Sequence, residues 1–99
     1  DHAYKRHRYW MKCEELDQLP SEYFMENVYM TFQDDWTAFQ FRDACNIRRL
    51  MWANDFPHSD ATWPWSQEML AEHTADMTEQ ERDWVLHDNV AELYGLTAV

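Results

Sequence analysis

Glycine is almost missing from this chain: its 99 residues include one, Gly95, and only three prolines. Tight β-hairpins draw on residues that tolerate positive φ, so an all-β fold is excluded. Positive charge is also scarce, with eight Lys and Arg against 19 Asp and Glu and a net charge of −11. Phosphate binding needs a basic surface, which removes nucleic acid from the partners. The Lys5-Arg6-His7-Arg8 cluster is too short to reverse that balance. No apolar run approaches membrane-spanning length and no signal-peptide core is visible, so no membrane partner and a cytoplasmic location are expected. Cys13 and Cys45 lack C-x-x-C spacing and are expected to be reduced thiols. The chain opens on Asp1 rather than Met, which suggests a processed chain or an excerpt. No Ser-His-Asp order, Gly-rich phosphate loop or H-E-x-x-H pattern occurs.

Aromatic bulk is abundant: six Trp, five Phe and five Tyr within a 45% hydrophobic composition. Such surface has to be buried, which argues against disorder and for one small domain with a limited core. Most of the Trp residues are expected in that core. The acidic residues concentrate late, since residues 55–99 hold ten Asp or Glu and one basic residue, Arg82. The run from Glu68 to Glu92 reads as the solvated face of helices.

Residues 1–19 show no clear period and read as loop plus a short helical piece. Pro20-Ser21-Glu22 marks a break, with Ser21 a plausible cap for a turn through Met25. Val28-Tyr29-Met30-Thr31-Phe32 is β-branched and aromatic, so a strand is predicted over 28–33. Asp34 or Asp35 would cap a following helix from Trp36 to Asn46, whose apolar positions Ala38, Phe41 and Cys45 fall at helical spacing. A second strand is predicted over 49–54, making a βαβ unit with parallel strands. After a loop over 56–65, Ser66 is placed to cap a helix to about His73. Thr78-Glu79-Gln80-Glu81 is a capping box. Leu86, Val90, Leu93 and Tyr94 form one apolar stripe of the helix it opens, and Gly95 is placed to stop it.

Residues 49–58 carry the most information. Leu50-Met51-Trp52 has no alternation, as in a strand buried on both faces, and it ends in Asn54-Asp55-Phe56-Pro57-His58. Pro57 turns the chain away from the ladder. Asp55 and His58 therefore fall at the carboxyl end of a parallel strand, where α/β folds collect binding and catalytic groups. Asp55 is either such a group or a turn former. His58 either hydrogen-bonds substrate or a ligand of the site, or packs under Trp63. Gln33 and Asp34, at the end of the preceding strand, are candidates for touching substrate. Trp63 and Trp65 could line the mouth of a pocket. His2, His7, His73 and His87 have no such setting, the last two being expected on surface helices far from the strand ends. Asp83 and His87, one turn apart, read as a solvated pair.

Two parallel strands do not make a sheet with protected edges, so the chain reads as the end of a larger α/β domain. Its wording then becomes specific. Pro20-Ser21-Glu22-Tyr23-Phe24, Asn27-Val28-Tyr29, Thr31-Phe32-Gln33-Asp34-Asp35, Arg49-Leu50-Met51-Trp52, Asp55-Phe56-Pro57-His58-Ser59-Asp60 and Thr62-Trp63-Pro64 follow in order. Asp88-Asn89 and Ala91-Glu92-Leu93-Tyr94-Gly95-Leu96 complete the series. Together they resemble the C-terminal end of the amidohydrolase-related family, metal-dependent TIM-barrel hydrolases and decarboxylases.

The resemblance implies an α/β fold: the C-terminal part of a (β/α)8 barrel, with residues 28–33 as the seventh strand and 49–54 as the eighth. It makes residues 1–99 one C-terminal fragment of a single barrel domain, since such barrels need roughly 250 residues. It places Asp55 beside a divalent metal, zinc or manganese, as a ligand or as the group that takes the proton from water. His58 and Gln33 become substrate-binding or supporting residues. The sequence departs from the pattern at Ala53-Asn54, where small residues are usual, and at Phe56, where Tyr is frequent. The family's histidine motif and further ligands, from earlier strands, have no counterpart here. The implied activity is hydrolysis or decarboxylation of a small carboxylate or aromatic substrate, in an intact parent completed by the remainder of the barrel. The 99 residues alone are expected to be inactive and to hold no metal. A homo-oligomer stays open. The alternative is a non-catalytic acidic α/β interaction module derived from the same family.

Overall fold

A computed structural model describes residues 1–96. Two three-residue strands, β1 (Met30–Phe32) and β2 (Leu50–Trp52), pair in parallel with Met30 opposite Leu50 and Phe32 opposite Trp52. Both lie inside the spans predicted at 28–33 and 49–54 but are shorter at each end. The expected βαβ unit is present. Its helix is much shorter than predicted: α3 covers Trp36–Gln40, not 36–46, and turns plus a 3-10 segment at Ile47–Arg49 complete the crossover. β2 has Leu50 and Met51 buried on successive faces, as a doubly covered strand requires, whereas Thr31 at the centre of β1 is exposed.

The core gathers on β2. Phe39, Leu50, Leu70 and Val85 are buried together, with Phe32, Ile47, Met69 and Leu86 packed around them. Phe39 meets Phe32 edge-on at a centroid distance of 4.9 Å, a geometry that adds about 0.5–1.5 kcal/mol beyond area burial. The helical period put Ala38, Phe41 and Cys45 on the inner face of α3. Instead Phe39 is the buried residue and Phe41 is 61% exposed. Residues two positions apart lie about 200° apart around a helix, so turning Phe39 inward turns Phe41 outward. The tryptophans are also not core: Trp10, Trp36, Trp63 and Trp65 are largely exposed, and Trp52 and Trp84 are half-buried.

Glu79–Tyr94 runs as one helical stretch interrupted by a wider turn: α5 (Glu79–Asp83), a π-type turn at Trp84–Asp88, and α6 (Asn89–Tyr94). The Asn89 N–H donates to Trp84 O, five residues back rather than four. That extra residue rotates the buried face. Val85 and Asn89 turn inward, while Leu93 and Tyr94 of the expected stripe are 40% and 69% exposed. Asn89 is fully buried, and its amide donates to Ile47 O at 2.7 Å and Leu50 O at 2.8 Å. Its Oδ1 accepts from Arg48 Nε at 3.0 Å, while Arg48 also reaches Glu92 at 2.7 Å and lies over the Trp84 ring. Every polar atom of the buried amide is thus used, and it clamps the start of β2.

Helix ends follow the expected chemistry with local changes. Thr78 and Glu81 close the capping box, and Gly95 ends α6 at φ +63°. Ser66 does not cap α4 (Ser66–His73); Trp65 holds that position and the Ser66 hydroxyl bonds Thr62 Oγ1 at 2.8 Å. α2 (Pro20–Asn27) has Leu19 at its N-cap, with Glu22 accepting from the Leu19 N–H at 2.7 Å, so Ser21 is not its cap either. The Asp1 carboxylate accepts from Ser21 N and Oγ at 2.8 and 2.6 Å. α1 (His2–His7) buries no residue, and the radius of gyration is 16.9 Å, against about 13 Å for a compact domain of this size. No helix among the described residues is long and apolar enough to cross a membrane.

Candidate functional site

The carboxyl ends of β1 and β2 open into a cleft of about 300 Å3 walled by Thr31, Gln33, Asp35, Ala53 and Asp55. The chain reaches it because the parallel pairing puts both strand ends side by side, extended by the Ala53 N–H donating to Phe32 O at 3.0 Å. Gln33 and Asp55, singled out from separate segments, are brought together here.

Asp55 sits at φ +59°, in the left-handed region that Asp adopts more readily than most residues. Its neighbour explains how that bend is held. Asn54 Oδ1 accepts from the Phe56 N–H at 3.1 Å, and Asn54 O accepts from the Thr62 N–H at 3.1 Å. The larger residue before Asp55 is therefore spent on the turn; Ala53, not Asn54, borders the cleft. The His58 N–H then closes the turn onto Asp55 O at 3.0 Å, across a cis Phe56–Pro57 bond.

The His58 Nδ1 lies 3.0 Å from both carboxylate oxygens of Asp55. His58 is 75% exposed at its side chain, leaving Nε2 outside this pairing. The packing alternative for His58 is taken by another residue: Phe56 meets Trp63 edge-on at 5.3 Å. The cleft thus presents a carboxylate oriented by an imidazole, a pair able to exchange a proton with a bound molecule and pass it to solvent.

Gln33 is fixed on two sides. Its backbone carbonyl accepts from Trp52 Nε1 at 2.8 Å, and its Nε2 donates to Asp60 Oδ2 at 3.1 Å. Asp35 occupies the N-cap position of α3, but neither it nor Asp34 makes the expected side-chain cap. Asp34 instead lies 3.9 Å from His73 Nε2. His73 was expected far from the strand ends; the structure packs it edge-on to Phe39 at 6.1 Å, 14% exposed and beside the β1 end. His87 pairs with Asp88 at 2.8 Å rather than with Asp83. Asp35, Asp60 and His73 were missed as neighbours of the site. For Asp60 a signal existed, its place in the Asp55–Asp60 stretch; for His73 none did, because helical periodicity says nothing about a tertiary neighbour.

A model of amidohydrolases matches residues 2–96. The chain belongs to the amidohydrolase family. No curated protein matches it. Members of the family are generally metal-dependent and built on TIM barrels, and the parallel strands are in keeping with that fold. The donors here do not fit a metal by themselves. No three His, Cys, Asp or Glu side chains cluster as ligands among the described residues, and both Asp55 oxygens already face His58. A catalytic zinc takes about three protein ligands, and no such set is present among the described residues of this amidohydrolase segment.

Proposed function

We propose that these residues form the closing βα units of a metal-dependent amidohydrolase barrel, and that Asp55 is its proton-transferring carboxylate. The observation that carries the reading is Asp55 and Gln33 lining one cleft at the carboxyl ends of adjacent parallel strands. Barrel enzymes place their chemistry on that face. A divalent ion, zinc or manganese, would take most of its ligands from the remainder of the barrel.

In this assignment Asp55 accepts the proton of water or of the substrate, and its pairing with His58 keeps the carboxylate aimed. Asp55, 42% exposed at its side chain, then releases the proton to solvent, while His58 Nδ1–H holds its orientation. Gln33 and Asp35 contact a small carboxylate or aromatic substrate, which is hydrolysed or decarboxylated. Acidic walls alone would repel a substrate carboxylate, so its binding draws on cationic groups beyond these residues, the metal among them.

The test is Asp55→Asn in the intact barrel protein, assayed on a panel of small aryl amides, esters and aromatic acids. Turnover should fall by about two orders of magnitude or more, as for loss of a general base, with little change in melting temperature. His58→Asn should cost less, about 10–100-fold, the range for groups that orient a reacting one. Intact turnover with a lowered melting temperature would make Asp55 a turn residue and sink the assignment.

A further inference from the structure

Two exposed surfaces of opposite charge stand at the two ends of the described chain. The first is a hook formed by residues 1–16. Its helix α1 buries no residue and carries Lys5, Arg6 and His7 in its last turn. Trp10 beyond it is 86% exposed, and Tyr9 and Met11 are exposed beside it. The hook is nonetheless held in shape. Lys12 reverses the chain at φ +54°, and the Leu16 N–H returns to donate to Tyr4 Oη at 2.9 Å. The Arg8 guanidinium donates to Tyr4 and Tyr9 Oη at 3.1 and 3.2 Å and lies over both rings. Ordered aromatic rings set in water beside cations have the make-up of an association surface, where Tyr, Trp, Met and Arg are enriched. The second surface belongs to the last helical stretch. Asp83 is exposed and Asp88 half-exposed there, and Tyr94 and Leu96 stand in water just beyond them.

We infer that the hook of one copy docks on the last helical stretch of a second copy, and that the exchange is reciprocal, giving a two-fold dimer. Charge selects this occupant. The hook gathers Lys5, Arg6, Arg8 and Lys12, half of all the Lys and Arg in the chain, whereas residues 55–99 hold ten acidic residues and one basic one. One sequence therefore carries both halves of a complementary pair. A partner of another kind could cover the hook alone and would leave the helix bare. A second copy covers both, and a two-fold axis makes each contact twice, so that two modest patches act together. Within a single copy the hook is tied elsewhere, its Asp1 carboxylate accepting from Ser21 N and Oγ at the start of α2. Trp10 is the anchor, seated against Tyr94 and Leu96, with Lys5 and Arg6 facing Asp83 and Asp88 at the rim. The dimer is independent of the chemistry proposed for the cleft.

Sedimentation equilibrium of the intact protein at low and high salt tests this. The parent should be a dimer that weakens as salt rises, because charges at an interface rim are screened. Trp10→Ser should raise the dissociation constant about tenfold or more, the range of an aromatic anchor. Lys5→Glu together with Arg6→Glu should weaken the dimer comparably by setting like charges against each other. Adding Asp83→Lys and Asp88→Lys to that protein should bring dimers back. Recovery is the discriminating readout, since damage to the fold is not cured by further substitutions at a distant site. A parent that stays monomeric at every concentration overturns the inference. So does a dimer that tolerates both Trp10→Ser and the charge reversal, because another face then associates. Dimers lost on reversal and not recovered by the second pair would place the hook against some other surface and overturn its pairing with the helix.

Discussion

The two strands have opposite surroundings. Behind β2 lies the stretch from Glu79 to Tyr94, with Val85 in the core and Asn89 donating to the carbonyls of Ile47 and Leu50. Beside β1 lies an open apolar groove of about 350 Å3, walled by Met30, Phe32, Ala38, Phe41 and Cys45. One side is finished down to its last buried amide; the other leaves an open apolar wall among the described residues, with Phe41 61% exposed on it. Exposed apolar grooves invite association. The contrast supports a segment whose β1 side meets further βα units. Under the proposed barrel, the neighbour of β1 would bring apolar surface to its outer edge and to the C-terminal end of α3.

The finished side should be the sensitive one. Asn89→Ala strips the Ile47 and Leu50 carbonyls of a donor and Arg48 of an acceptor, around a side chain that is itself fully buried. Leaving buried groups unpaired costs about 1–3 kcal/mol each, and the network as a whole should lose about 2–4 kcal/mol. Urea denaturation checks this, with Leu93→Ala as a comparator on the same stretch that should stay within about 0.5 kcal/mol. Equal effects of the two substitutions would mean that the helical period, not the π-type turn, identifies the packed face.

That point also shows what was legible. The parallel βαβ unit, the capping box at Thr78 and the stop at Gly95 rest on local rules, and local residues are enough to state them. The Gln33–Asp55 cleft was accessible by the same route, since both residues end strands that must run side by side. Asn89 was not accessible. Its burial comes from one added residue in a helical turn, which shifts the inward face from the Leu93–Tyr94 side toward Val85 and Asn89, and no pattern of apolar residues encodes that. The stripe of Ala38, Phe41 and Cys45 is a subtler case. Its period put those residues toward a core, and they do border one apolar space, but it is the groove beside β1 rather than the core behind β2. Periodicity named an apolar face without saying whether its partner lies within the same 99 residues.

A smaller effect comes from the start of the finished side. Glu81 accepts from the Thr78 N–H at 2.8 Å and from Arg42 at 3.4 Å, and these bonds hold its carboxyl below the ordinary carboxylate value, the Thr78 bond contributing most. A carboxyl whose pKa is lowered on folding stabilises the fold above its unfolded value and loses that contribution as pH falls through the folded one. Stability should therefore drop as pH falls below the ordinary carboxylate range, and drop less in Glu81→Gln, which keeps a capping group without a charge. Thr78→Ala should cost about 1 kcal/mol at neutral pH, the usual worth of an N-cap. Denaturation midpoints at two pH values for each variant separate the cap from the charge. If Glu81→Gln follows the same pH course as the parent, the titrating group lies elsewhere.

The smallest change is expected on the open side, and it is the one that decides what the groove is for. Phe41 is 61% exposed on the groove wall. In isolated residues 1–99, Phe41→Gln removes little packing and should alter stability by no more than about 0.5 kcal/mol, as for other surface changes. It should nonetheless reduce self-association and the binding of a hydrophobic dye, because it takes a large apolar group out of the exposed patch. In the intact protein the proposed barrel covers this wall, and the same substitution then places a polar amide where a Phe ring was packed. Large-to-small changes of buried Phe cost about 3–5 kcal/mol, so a loss well above the isolated value should appear in its unfolding transition. The difference between the two contexts is the quantity of interest, since it measures cover supplied from outside the segment. Should Phe41→Gln be equally harmless in both, nothing packs on the β1 side, and the asymmetry between the strands belongs to a free-standing module rather than to a barrel's closing units.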